Sequence, residues 1–184
     1  MSGRFQSVIR KLESNVQFRA DRIMTINIEL LKIATKLPMI AEDTFMVIGA
    51  LAVALDNNFA PYVTALLPYL FPALRTYQDT QLCSTAVGLV GDISRALGEG
   101  SAQYAESFVT VLLEDLQNEM LNRNVKVSIL SCFGDIALAI GPAFDPYFET
   151  TMSMLMQAGQ VEPNPVSGAS VFPKCMGIKR YFAA

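Results

Sequence analysis

A chain of 184 residues, 52% hydrophobic and 17% charged, is of single-domain size and has ample apolar material for a core. It contains no histidine, which removes the commonest general base, the Ser/His/Asp and Cys/His nucleophile systems, and histidine-based metal sites. The net charge of −3 is unevenly spread: residues 1–36 hold seven Lys or Arg against three Asp or Glu, residues 37–162 four against fourteen, and residues 163–184 three against none.

The amino-terminal stretch MSGRFQSVIRKLES lacks the apolar core of a secretory signal. Residues 19–36 carry a helical pattern, and beyond them the chain repeats itself. GALAVALD (49–56), GDISRALG (91–98) and GDIALAIG (134–141) lie 42 and 43 residues apart. Tyr62, Tyr104 and Tyr147 keep the same spacing, and each opens an apolar run: YVTALLPYLFPAL, YAESFVTVLLEDL and YFETTMSMLM. A period near 42 falls within the about 40–47 residues of helical-pair solenoids of the HEAT and armadillo kind. Within each unit the triplets Ile48, Leu51, Leu55, then Val90, Ile93, Leu97, then Phe133, Ile136, Ile140 recur at i, i+3, i+7, which places an apolar stripe on one helix face. Asp92, Arg95 and Asp135 fall between the stripes and are expected to lie away from the seam. Gly49, Gly91 and Gly134 sit in mid-pattern, where glycine costs about 1 kcal/mol against alanine, so close approach by a neighbouring helix is expected there.

Punctuation agrees with the period. Asp79 and Asn122, 43 apart, are good helix N-caps. Asn57 with Asn58, Gly98 with Gly100, and Gly141 with Pro142 are expected to close the preceding helices. Pro68 and Pro72 fall inside a first helix and should bend it. The longest uncharged stretch, Asn57–Leu74, is broken by Pro61, Pro68 and Pro72, so no membrane insertion is expected. Cys83, Cys132 and Cys175 have no CxxC spacing and read as reduced thiols of a cytosolic or nuclear protein.

The architecture predicted is therefore all-α, an α-solenoid of about three to four HEAT-type pairs. Residues 1–40 form a truncated or atypical helical segment, 41–160 the repeat array, and 161–184 a non-repetitive, disordered tail, VEPNPVSGASVFPKCMGIKRYFAA. With a period of 42, the unit ending at Asp56 should start its first helix near Ala20. Residues 19–36 instead look like the second helix of an earlier unit, so an outer helix is expected to be missing between Lys36 and Ala41. The broken ends predict self-association or marginal stability.

The catalytic search returns little. Glu114 with Asp115, and Glu42 with Asp43, are sequence neighbours that a helix sets about 100° apart, so they do not converge as an acid/base pair. Gly88 and Gly91 lie inside a helical pattern and form no phosphate cradle. No enzyme, catalytic residue, cofactor or metal is expected. The net charge of −10 over residues 37–162 disfavours nucleic acid and suits basic partners, or serves solubility alone.

Three blocks carry a resemblance: QLCSTAVGLVGDISRALG (81–98), NRNVKVSILSCFGDIALAIGPAFDPYFE (122–149) and, more weakly, NVQFRADRI (15–23). They resemble the carboxy-terminal half of the importin beta (karyopherin beta) nuclear import receptor family. Val125 and Lys126 match the place where HEAT units have a hydrophobe followed by a basic residue. The resemblance implies a transport receptor acting in cytoplasm and nucleus, including the nuclear pore, by reversible protein binding. Its inner wall would hold a basic import adaptor helix or basic cargo signal, with Asp79, Asp92, Glu99 and Asp135 as candidates. The alternative for these four is solvent exposure or pairing with Arg95 or Lys126. Phe59, Tyr62, Tyr104, Phe144 and Tyr147 are candidates for bordering grooves that take Phe-Gly nucleoporin repeats, or else for closing the core. Ran GTPase is the third implied partner, with its principal site in amino-terminal repeats this chain lacks. The rival readings are a HEAT scaffold subunit of another complex and a receptor fragment without function.

Overall fold

The computed structural model describes residues 17–34 and 37–160, with side chains to residue 156. Among them are seven α-helices: α1 (Ala20–Ile33), α2 (Pro38–Leu55), α3 (Ala60–Leu74), α4 (Thr80–Leu97), α5 (Ala102–Gln117), α6 (Arg123–Ile140) and α7 (Asp145–Gln160). They alternate between two layers. The second helices α2, α4 and α6 stack on one another, whereas α1, α3 and α5 touch their layer neighbours more sparsely. Each first helix packs on the second helix that follows it, giving three pairs, and α7 opens a fourth. This is the HEAT-type solenoid that the 42–43 residue period predicts.

The nine stripe residues fill the interior: Ile48, Leu51, Leu55, Val90, Ile93, Leu97, Phe133, Ile136 and Ile140 are all at most 3% exposed. The helices around them start where side chains satisfy orphan amides. Asp79 accepts from the Leu82 amide at 3.0 Å at the start of α4, and Asn122 accepts from the Asn124 amide at 2.9 Å at the start of α6. Pro68 and Pro72 both remain inside α3, and Thr76 Oγ1 donates to the Pro72 carbonyl at 2.9 Å near its end.

Second helices end in one shared conformation. Asp56, Gly98 and Gly141 have φ of 53°, 50° and 54°, each followed by a short 3-10 turn. With ψ of −135°, Asp56 occupies a region that is essentially glycine's own. The turn begins one residue before the two asparagines that the sequence suggests. Asp56→Gly is expected to stabilise the chain by about 1 kcal/mol in urea denaturation, by relieving the Cβ clash of a left-handed backbone; an unchanged midpoint would show that Asp56 is not strained.

The expectation of a lost outer helix is corrected. Helix α1 itself is the outer helix of the first pair: it packs on α2 and lies beside α3, where the Tyr62 hydroxyl donates to Asp21 Oδ1, 41 residues away. Its inward face is Ala20, Met24, Asn27, Leu31 and Ala34, all buried. The polar Asn27 breaks that stripe, and it is accommodated because its Nδ2 donates to the Ile23 carbonyl at 2.7 Å. Residues 35–36 lie outside the described residues, and Leu37 leads directly into α2. The expected tail, with Cys175, and residues 1–16 also lie outside them.

Large exposed apolar side chains gather towards the two ends. Phe18, Ile26, Ile33, Leu37, Met39 and Val53 belong to the first pair and its approach, and Met120, Leu138 and Met156 to the last helices. By length and composition Pro38–Leu74 and Arg123–Met156 could cross a membrane, but each is two helices folded back across a 3-10 turn and half buried within the solenoid.

Candidate protein-binding surface

Two kinds of surface follow from the layers: the outward face of the second helices, and the clefts between successive first helices. On the second-helix face, Asp92 of α4 and Asp135 of α6 converge on one guanidinium. Arg95 pairs with Asp92 one turn earlier in its own helix and, through Nη1, with Asp135 Oδ2 at 2.6 Å. The two carboxylates keep 31% and 30% of their side-chain surface exposed, so the cluster is open to solvent with one net negative charge. Val53 and Leu138, one period either side of Arg95, are exposed apolar residues at the equivalent helix positions.

The aspartates do not lie away from the seam, as the pattern suggests; they reach across it. A Cβ built on Gly49 would stand 2.5 Å from Asp92 Oδ2, and one built on Gly91 would stand 2.9 Å from Asp135 Oδ2. The neighbour that these glycines accommodate is thus the aspartate of the following unit, a carboxylate rather than helix backbone. Gly49 and Gly91 each seat the aspartate of the following unit.

The other two acidic candidates sit elsewhere. Asp79 is the N-cap of α4, and Glu99 is exposed in the turn after it. An 18-residue helix separates them by about 27 Å, so they cannot act on one small group. Lower on the same face Gln81 Nε2 donates to Glu42 Oε1 at 3.1 Å, and the Ser84 and Ser128 hydroxyls approach to 3.4 Å, polar contacts between adjacent second helices.

Of the aromatic candidates, Phe59 and Phe144 are wholly buried, at 0% and 1% exposure, and serve the core. Their rings lie 5.7 Å and 5.9 Å from those of Tyr62 and Tyr147, which are half-buried and face the first-helix side. Burial and the bond to Asp21 push the Tyr62 hydroxyl up to about 12, so it stays a donor. Tyr104 lies tilted against Phe108 at 6.2 Å, and Phe108 meets Phe71 from α3 edge-on at 6.2 Å. Phe71 is half-buried at this α3–α5 cleft and was not singled out by the pattern, because it sits within the proline-flanked run LFPAL rather than at a repeated position.

The two thiols among the described residues, Cys83 and Cys132, are buried. Cys83 Sγ donates to the Leu74 carbonyl at 2.9 Å, and burial pushes it up to about 12; burial raises Cys132 as well. Among the described residues no three His, Cys, Asp or Glu side chains are grouped to hold a metal ion.

Comparison with known proteins agrees with this geometry. Residues 1–171 match the family model described as importin subunit beta-1-like, TPR repeats; the 42–43 residue period sets the units apart from 34-residue TPR pairs and makes them HEAT-type. The chain is 43% identical to importin subunit beta-1 of Schizosaccharomyces pombe over 165 residues, covering 90% of this chain and 19% of that protein. It is 36% identical to the Saccharomyces cerevisiae protein over 157 residues, 85% of this chain and 18% of the relative. A crystal structure of importin beta superposes with a TM-score of 0.83 at 34% identity, over 96% of this chain and 20% of that one. A Kap95:Nup1 complex gives 0.81 at 31% identity over 97% and 20%, and Kap95p with RanGDP gives 0.77 at 32% identity over 96% and 20%. The chain spans about one fifth of the length of these relatives. It belongs to the importin beta-1 family and represents a stretch of that family's helical-pair solenoid.

Proposed function

We propose that this chain carries part of the protein-binding surface of a nuclear import receptor and works by reversible association, without catalysis, in cytoplasm and nucleus including the pore. The observation that carries this reading is the Asp92–Arg95–Asp135 cluster: two partly exposed carboxylates on adjacent second helices, in a segment with fourteen acidic against four basic residues. Such a face attracts a basic helical adaptor or a basic cargo signal. The clefts lined by Tyr62, by Phe71 and Tyr104, and by Tyr147 suit small aromatic insertions of the Phe-Gly kind, and the likeness to a Kap95 solved with Nup1 supports that assignment. The likeness to a Kap95p solved with RanGDP supports Ran as a partner of the longer receptor.

Titration of the purified chain with a basic adaptor helix and, separately, with a Phe-Gly peptide tests both surfaces. The first affinity is expected to fall steeply with salt, because exposed charges are screened within about 8–10 Å at physiological ionic strength. Asp92→Lys with Asp135→Lys should weaken it at least about tenfold and leave the Phe-Gly peptide unaffected. A chain that is helical by circular dichroism yet binds neither would favour a scaffold role or a remnant.

A further inference from the structure

The loop after α3 reaches across to the end of α5 in the next unit. Arg75 Nη2 donates to Glu114 Oε2 at 2.6 Å, with both side chains about half exposed. Two residues on, the Tyr77 hydroxyl donates to Asp115 Oδ1 at 2.7 Å. Asp115 is 0% exposed, and its Oδ2 has no hydrogen-bond partner.

A carboxylate offers about four acceptor sites, and burying it ionised with one neutral donor leaves most of its hydration unreplaced. The groups facing it do not make good the loss. Arg75 is engaged by Glu114 at the surface, Glu114 is a like charge, the Cys83 thiol donates to the Leu74 carbonyl instead, and Asn118 lies at the Tyr77 hydroxyl. The fold does not demand acid here either. One period before Asp115 stands Ala73, itself buried, and one period after it Ala158.

We propose that Asp115 is an ionisable weak point in the joint between the second and third pairs: as the neutral acid it holds the joint shut, and as the carboxylate it works against closure. Opening the joint returns Asp115 to water. Burial, set against the Tyr77 bond and Arg75, holds its carboxyl above the usual range in the closed joint. Between the open and closed titration points the closed form binds the proton and the open form does not. There the opening constant rises about tenfold per pH unit, and above the closed-state point it levels off. At neutral pH the joint is therefore looser than the repeat's own alanine would make it.

Amide hydrogen exchange on the full chain at several pH values, corrected for intrinsic rates, tests this, with α2 amides as the internal reference. Opening read at residues 77–82 and 111–118 should climb from the ordinary carboxylate range and then plateau. In Asp115→Asn, which keeps an acceptor for Tyr77, it should be flat and about tenfold or more slower at neutral pH. Asp115→Ala, which copies the neighbouring units, should behave likewise, and the asparagine variant decides if alanine fails to fold. A pH-independent wild type, a variant that opens as fast as the wild type at neutral pH, or a change shared equally by α2 would overturn the proposal.

Discussion

Replacing Phe108 by alanine is expected to lower the unfolding free energy by about 3–5 kcal/mol, the usual cost of deleting a fully buried ring. Phe108 is 0% exposed and couples α5 to α3. It anchors α5, lies tilted against Tyr104 from its own helix, and meets Phe71 from α3 edge-on. The first helices touch one another sparsely, so the Phe71–Phe108 contact is a large share of what ties α3 to α5. Each aromatic pair adds about 0.5–1.5 kcal/mol beyond area burial. Phe71→Ala, removing a half-buried ring, should cost less, and the double variant should fall short of the sum because the rings share one contact. Urea denaturation with a cycle over the two positions reads all three values. Strict additivity would mean that the rings do not support one another, and a loss below about 1 kcal/mol for Phe108→Ala would mean that the cleft collapses into the space.

The same variants bear on function. The cleft that Phe71 and Tyr104 border is also the groove proposed for a Phe-Gly segment, so the solenoid's own aromatic joint and its proposed docking groove use the same rings. The half-buried Phe71 and Tyr104 leave part of each ring accessible at this joint, whereas the stripes between second helices are wholly buried.

The second-helix layer was legible in the sequence because one stripe carried both the period and the core: Ile48, Val90 and Phe133 recur in phase and are all buried. The caps Asp79 and Asn122 were legible for the same reason, since a cap depends on local chemistry that the sequence displays directly. Helix α1 was not read as an outer helix, because Asn27 interrupts its inward stripe while Ile26 and Ile33 point outward. The contacts that close the joint between pairs two and three were hidden as well. Arg75–Glu114 and Tyr77–Asp115 span 39 and 38 residues, short of the repeat spacing, because they join a loop in one unit to a helix end in the next. A residue's burial at such a joint depends on how two units dock, which is why Glu114 and Asp115, neighbours in sequence, end up half-exposed and fully buried.

Two glycines three residues apart in α4 are expected to respond to substitution with opposite signs. Gly88→Ala should stabilise the chain by about 1 kcal/mol, the difference in helix propensity, because a Cβ there meets nothing within 4 Å. Gly91→Leu should destabilise it by about 1–3 kcal/mol in spite of leucine's better propensity, because its first carbon already stands 2.9 Å from Asp135 Oδ2 and 3.6 Å from Arg95 Nη1. The added side chain drives Asp135 off the guanidinium and wedges α4 from α6, so the variant should also lose affinity for a basic peptide, whereas Gly88→Ala should keep it. Thermal and urea unfolding of the two variants, with peptide titration of each, separates the effects. If Gly91→Leu were neutral in both readouts, the glycine would not be seating the aspartate, and the recurrence of glycine before aspartate one period apart would need another cause. If Gly88→Ala were destabilising, something other than solvent would occupy the open space beside Gly88.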